Sequence, residues 1–170
     1  MIKKSEKPLL PIKKKILKKG VIYARVATKK NNASISRQKK AAQNAAARDK
    51  VKIVKNVVEI ISGSLRLDKR TTITDMLNKT KDKDIEKIYV ESVRAISRDA
   101  GVAEEMYQQA KAKGVQIVPS DIPEVCVLDP NPVQTFMRRF MFAVTELENH
   151  LIVQQLQDGQ QNKRNQLSQL

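Results

Sequence analysis

The chain holds no tryptophan, one cysteine, one histidine and five glycines in 170 residues, and only 4% of it is aromatic. Each scarcity closes off a class of protein. With Cys126 alone no internal disulfide can form, which suits a reducing, intracellular compartment and excludes a disulfide-stapled secreted module. Cys126 stands among Val125, Val127 and Leu128, the setting of a small buried hydrophobe rather than a reactive thiol. His150 is the sole histidine, and nothing near it completes a zinc site or a catalytic triad. The glycines are scattered, so no glycine-rich phosphate loop is present, and no internal repeat is visible. No apolar run approaches the roughly 18–20 residues that span a bilayer, so no membrane partner is expected.

Positive charge is what the chain has in excess. Thirty-three Lys and Arg face 18 Asp and Glu, a net +15 with a pI near 10.0. Such a charge favours a polyanion, because each neutralised phosphate releases condensed counterions. A solvated basic surface is the plainer alternative. Residues 1–20 carry eight lysines and Glu6, hence +7, while residues 21–170 carry +8, so the body is basic without the tail. Lysine runs repel one another, and Pro8 and Pro11 interrupt them. Residues 1–20 are therefore expected to form a flexible basic arm, either contacting nucleic acid or merely aiding solubility. They lack the apolar core of a secretion signal.

Hydrophobic periodicity predicts an α/β domain over 21–130, a mostly parallel sheet with crossover helices. Val21–Val26 reads as a buried first strand that delivers Arg25 to the end of the sheet. Ser34 or Ser36 is the expected cap of a helix through Arg37–Lys50, with Gln38, Ala41, Ala42, Ala45 and Ala46 as a small-residue face. β-Branched residues mark Val51–Ile61 as strand two. A short helix over Thr71–Lys79, a strand over Glu86–Glu91, a helix over Gly101–Lys113 stopped by Gly114, and a strand over Val115–Pro119 follow. A loop with four prolines leads to one long helix, 131–157, opened by Asn131 and Pro132. Along it Val133, Phe136, Met137, Phe140, Met141, Val144, Leu147 and Leu151 make an apolar stripe, packed either on its own sheet or on a partner helix. A polar tail, 158–170, with Lys163 and Arg164, is expected to end the chain.

Several of these segments carry a resemblance. Tyr23-Ala24-Arg25-Val26-Ala27-Thr28, then Ser34-Ile35-Ser36-Arg37-Gln38, resembles the opening of the resolvase/invertase serine recombinases, Tyr-Ala-Arg-Val-Ser-Thr followed by Ser-Leu-x-x-Gln. Glu59-Ile60-Ile61-Ser62-Gly63 is similar to the family's acidic-x-x-Ser-Gly turn, and Arg70, Ile73 and Met76 to its Arg-x-x-Leu-x-x-Leu. Ile88–Asp99 is similar to the strand that ends in Asp-Arg-Leu-Ser-Arg-Asp. The likeness spans roughly Val21 to Gly159. It implies a resolvase-like catalytic domain plus a long C-terminal dimerisation helix, acting on double-stranded DNA by phosphoserine strand exchange. It also implies a homodimer, a tetramer in an active synaptic complex, and no metal or cofactor. By position Arg25, Arg70 and Arg98 match the family's phosphate-binding arginines. Gln38 matches its motif, and Asn31 stands where a glutamine is usual; together with Lys163 and Arg164 these two are the expected DNA contacts. Guanidinium forks suit such a site because they stabilise the charge that builds when a serine attacks phosphate.

The departures matter as much. Ala27 occupies the nucleophile's position, and a methyl cannot attack a phosphodiester. Ungapped alignment puts Arg94 where the family has aspartate and Ala95 where it has arginine; a one-residue shift would let Arg94 serve as the displaced arginine. Thr28, Ser34 and Ser62 are the hydroxyls that would have to substitute. The family commonly continues into a helix-turn-helix or larger DNA-binding domain where this chain stops, which reads as a catalytic-domain-only relative or a truncated product. The Lys-, Asn- and Ile-rich vocabulary fits an AT-rich genome, so a bacterial cytoplasm or nucleoid, or an organelle, is the expected location. The leading expectation is a DNA-binding family member with cleavage lost or impaired. The alternatives are a non-enzymatic regulator that pairs with an intact recombinase, and a generic basic nucleic-acid-binding domain.

Overall fold

A computed structural model describes residues 18–29, 31–80 and 85–167. The expected basic arm therefore lies outside the described residues, except for Lys18, Lys19 and Gly20. Strand β1 (Lys19–Val26) starts two residues before the expected Val21 and sits at the centre of a four-stranded parallel sheet ordered β2-β1-β3-β4, with β2 (Lys52–Ile60), β3 (Ile85–Val90) and β4 (Gln116–Pro119). Between the strands run α1 (Asn32–Arg48), α2 (Thr71–Asn78), α3 (Val93–Ile96) and α4 (Ala100–Ala112). The α/β architecture with a long C-terminal helix is the one the periodicity predicts.

Successive side chains of a strand point to opposite faces, and β1 uses both. Ile22 packs with Tyr89 and Val118 against the Ala42, Ala45 and Ala46 face of α1, whose methyls let the helix lie close to the sheet. Val21 and Tyr23 face a larger core built from Ile73, Met76 and Leu77 of α2 and Val102, Met106 and Tyr107 of α4. Gly114 ends α4 as expected, with φ +70°, a left-handed conformation that glycine adopts without a Cβ penalty. Neither Ser34 nor Ser36 caps α1. The helix starts at Asn32 after Asn31, whose side chain makes no capping hydrogen bond, and the Ser34 hydroxyl accepts from Gln38 one turn on.

The last helix, α5 (Pro132–Leu167), does not stop near 157 but runs on to Leu167, 36 residues in all. At 1.5 Å per residue it is roughly 54 Å long. Gln, Lys and Arg are good helix formers, and one exposed glycine, Gly159, costs only about 1 kcal/mol relative to alanine. Its first half has two opposite faces. Arg138, Phe142, Thr145 and Asn149, at three- and four-residue steps, are buried against the domain. Arg138 donates to both carboxylate oxygens of Glu104 at 3.0 Å and stacks 3.8 Å above the Tyr107 ring, and Glu146 accepts from the Ala100 N–H at 3.2 Å. The opposite face shows Val133, Phe136, Phe140, Leu147 and Leu151 to solvent, with the Phe136 and Phe140 rings stacked at 6.1 Å. The stripe is thus left mostly open, with Met141 packed partly against the core, while a different face of the same helix serves the domain.

Candidate functional site

Parallel strands bring their C-terminal ends to one edge of the sheet. The strand order reverses between β1 and β3, and a crevice opens outside the carboxyl ends of two such strands. A cleft of about 530 Å³ lies there. The end of β1 supplies Arg25, Val26 and Ala27; α1 and the residue before it supply Asn31, Ser34, Arg37 and Gln38. The segment after β3 supplies Glu91, Ser92, Arg94, Ala95 and Arg98, and Asp121 follows β4.

Arg25 forms the floor. It is 7% exposed, and its Nε, Nη1 and Nη2 donate to the carbonyls of Ala95, Ile61 and Arg94 at 3.2–3.3 Å. Gly63 makes room for it, because a Cβ there would stand 2.5 Å from Nη2. Burial pulls the guanidinium down to about 10; Tyr23 opposes that pull, while the Arg70 and Arg98 charges add to it. It stays charged at neutral pH. Ala27 is exposed at the lip of the cleft. Arg94 is half-buried and Arg98 exposed, and no hydrogen bond or salt bridge among the described residues takes up either guanidinium. Asn31 is exposed at the same lip.

Two expected contacts are spent elsewhere. The Gln38 amide accepts from the Arg25 backbone N–H at 3.0 Å and donates to the Arg25 carbonyl at 2.9 Å and to Ser34 Oγ at 3.1 Å. It clamps the end of β1 to α1 and offers nothing outward. Arg70 is fully buried and lines no part of the cleft. It donates to Glu59 Oε2 at 3.0 Å, to the Ile96 carbonyl at 2.9 Å and to the Tyr23 hydroxyl, which in turn donates to Glu59 at 2.6 Å. Buried charges are tolerated only when paired and hydrogen-bonded, and this pair is. Arg70→Ala should therefore cost about 3–5 kcal/mol in urea denaturation by leaving Glu59 buried and unpaired, while Arg98→Ala leaves stability within about 0.5 kcal/mol. Equal stability losses in the two variants would contradict this division of roles.

Lys163 and Arg164 are exposed on the far end of α5, away from the cleft lining. Ser62 and Thr28 are exposed and also outside the lining. The sequence reading missed Arg37, Glu91, Ser92 and Asp121. Arg37 pairs with Glu91 at 2.9 Å across the cleft wall. Burial pushes the Asp121 carboxyl up; hydrogen bonds from its own and the Ile122 backbone oppose this, and the Glu91 charge reinforces it. Arg37 adjoins Gln38 in the motif and could have been flagged. Asp121 carries no local signal. Among the described residues no group of three His, Cys, Asp or Glu is placed to hold a metal, and no helix is long and apolar enough to cross a membrane.

An open parallel α/β sheet with an arginine-lined cleft at its switch point defines a class of anion-facing domain. Within it, this chain belongs to the resolvase N-terminal domain family, whose model matches residues 20–167. The fold is similar to that of the N-terminal catalytic domain of TP901-1 integrase (17% identity over 79% of this chain and 98% of that one, TM-score 0.59). It is also similar to a resolvase family site-specific recombinase from Streptococcus pneumoniae (19%, 87% and 99%, TM-score 0.57). A third likeness is to the C-terminal catalytic domain of ISC1926 TnpA, an IS607-like serine recombinase (20%, 60% and 70%, TM-score 0.53). At these identities the likeness is one of fold. No curated protein matches the sequence significantly.

Proposed function

We propose that this chain is a DNA-binding member of the serine recombinase family that holds a backbone phosphate without cutting it and self-associates through the open face of α5. The observation that carries the reading is the pairing of Ala27 with Arg94 and Arg98: cations without partners among the described residues face a cleft whose expected nucleophile position ends in a methyl. Ser34, a hydroxyl that lines the same cleft, accepts a hydrogen bond from Gln38. Arg25 supports the frame through three carbonyls, and Arg94, Arg98 and Asn31 are the groups free to meet phosphate.

Binding to duplex DNA should be weakly specific and fall by a factor on the order of 10³ between about 50 and 200 mM salt if about six phosphates are engaged. Deleting residues 2–17, which hold six lysines, should make that dependence shallower. Fluorescence anisotropy across a salt series measures both, and salt-independent binding, or none at low salt, would defeat the proposal. Supercoiled DNA incubated with the chain should give no covalent protein–DNA adduct on a denaturing gel.

A second reading, a regulator that pairs with an intact recombinase, draws on the same exposed Phe136–Phe140 face. It requires that the chain, mixed with an active recombinase, lowers that enzyme's activity in proportion to the mixed dimer formed.

A further inference from the structure

The cleft carries more than a backbone phosphate requires. Its four arginines, 25, 37, 94 and 98, face two carboxylates, Glu91 and Asp121, and Glu91 is already tied to Arg37 at 2.9 Å. The local balance is +2, which complements a doubly charged phosphate better than a singly charged diester. At about 530 Å³ the space falls within the range of small-ligand sites and exceeds what one phosphate group fills. It stands at the switch point between β1 and β3, the place where open parallel sheets take their ligands. Seventeen-residue α1 opens onto it, and no side chain caps that helix N-terminus, so the end of its dipole adds to the two arginines opposite. Asp121 and Ser92 add hydrogen-bonding oxygens on the β3–β4 side, suited to a sugar hydroxyl or a base N–H.

We infer that the cleft is a binding site for a nucleotide 5′-phosphomonoester, supplied either by a free nucleoside monophosphate or by the 5′-phosphorylated end of a DNA strand. The phosphate lies between Arg94, Arg98 and the start of α1, and the nucleoside lies toward Ser92 and Asp121. With a methyl at position 27, bound phosphate is held and not attacked. The inference deepens the DNA reading of the same cleft and rests on it only in placing phosphate at Arg94 and Arg98.

The test uses the full chain, titrated calorimetrically with adenosine 5′-monophosphate, adenosine and inorganic phosphate, and by anisotropy with 3′-labelled duplexes bearing 5′-phosphate or 5′-hydroxyl ends. Adenosine monophosphate should bind at least about ten-fold more tightly than adenosine. Arg94→Ala and Arg98→Ala should each weaken it about ten-fold or more, since each loses a charge-assisted contact. Lys52→Ala, which removes the same charge from the exposed edge strand, should change nothing. Thermal melting confirms that Arg98→Ala is folded, and Arg98→Lys should recover part of the affinity. Preference for the 5′-phosphorylated duplex identifies a DNA end as the source; monophosphate binding with no preference between ends identifies the free nucleotide. If monophosphate and adenosine bind alike and the two duplex ends bind alike, the inference fails. Should salt-sensitive, Arg98-dependent DNA binding persist in that case, the functional reading survives alone; loss of DNA binding as well would overturn both.

Discussion

Restoring the serine alone, by Ala27→Ser, should leave strand cleavage at or near background, with no protein–DNA adduct from supercoiled substrate. The position is exposed at the cleft lip, so a hydroxyl there folds without difficulty. The obstacle is what surrounds it. By the resemblance, position 94 calls for a carboxylate and position 95 for an arginine. Here Arg94 offers a cation where the acid belongs, and the Ala95 methyl is only 6% exposed. Groups that act as one catalytic unit are strongly non-additive, so repairing one leaves the unit broken. The triple variant Ala27→Ser, Arg94→Asp, Ala95→Arg, fused to a sequence-specific DNA-binding domain, should exceed the single variant by at least about ten-fold. That corresponds to about 1.4 kcal/mol of barrier. It will also be less stable by about 1–3 kcal/mol, because an arginine must be fitted into the packed position of Ala95. Robust adduct formation by Ala27→Ser alone would show that Arg94 already does the displaced arginine's work and that Ala27 is the sole lesion.

Phe140→Asp should convert a dimer to a monomer in sedimentation velocity while leaving the circular dichroism spectrum and melting of the sheet domain unchanged. Phe140 is 51% exposed and stacks on Phe136 at 65%, so its ring supports no part of the core. A second copy can bury the Val133, Phe136, Phe140, Leu147 and Leu151 face, with about 25 cal/mol gained per Å² of apolar area removed from water. An aspartate at its centre on each copy would place two charges in a desolvated interface. The contrasting variant is Phe142→Asp, four-residue neighbour of Arg138 on the inner face and 2% exposed. That change should unfold the protein. A monomeric wild type at about 100 µM, with no change on mutation, would remove the interface from the proposal; such a concentration corresponds to a free energy of only about −5.5 kcal/mol.

Much of this architecture is legible in the sequence. Val21–Val26 reads as a buried strand because both of its faces are apolar, and both prove buried. The alanines of α1, the apolar positions of α2 and α4, and Gly114 follow from periodicities of 2 and 3.6 and from the conformational freedom of glycine. The positions of the apolar stripe of α5 could also be read residue by residue, but that it faces outward could not. Periodicity reports which positions share a face, and apolar residues on a shared face find cover by non-directional burial.

The fate of the polar groups was decided by the tertiary structure alone. Arg70 and Gln38 stand at motif positions and look like ligands, yet one is locked to Glu59 and Tyr23, 11 and 47 residues away, and the other to the backbone of Arg25. Arg25 meets the Ala95 carbonyl across 70 positions, and Arg37 meets Glu91 across the cleft. A hydrogen bond needs its partner within about 3 Å and well aligned, so it is settled by sheet register and helix placement to a fraction of a residue step. The sequence alone therefore determined the order of the main elements, the buried faces of β1, α1, α2 and α4, and the arginine at the end of the first strand. Which arginines are spent inside and which remain free to meet an anion required the fold, because hydrophobic burial tolerates small displacements and directional pairing does not.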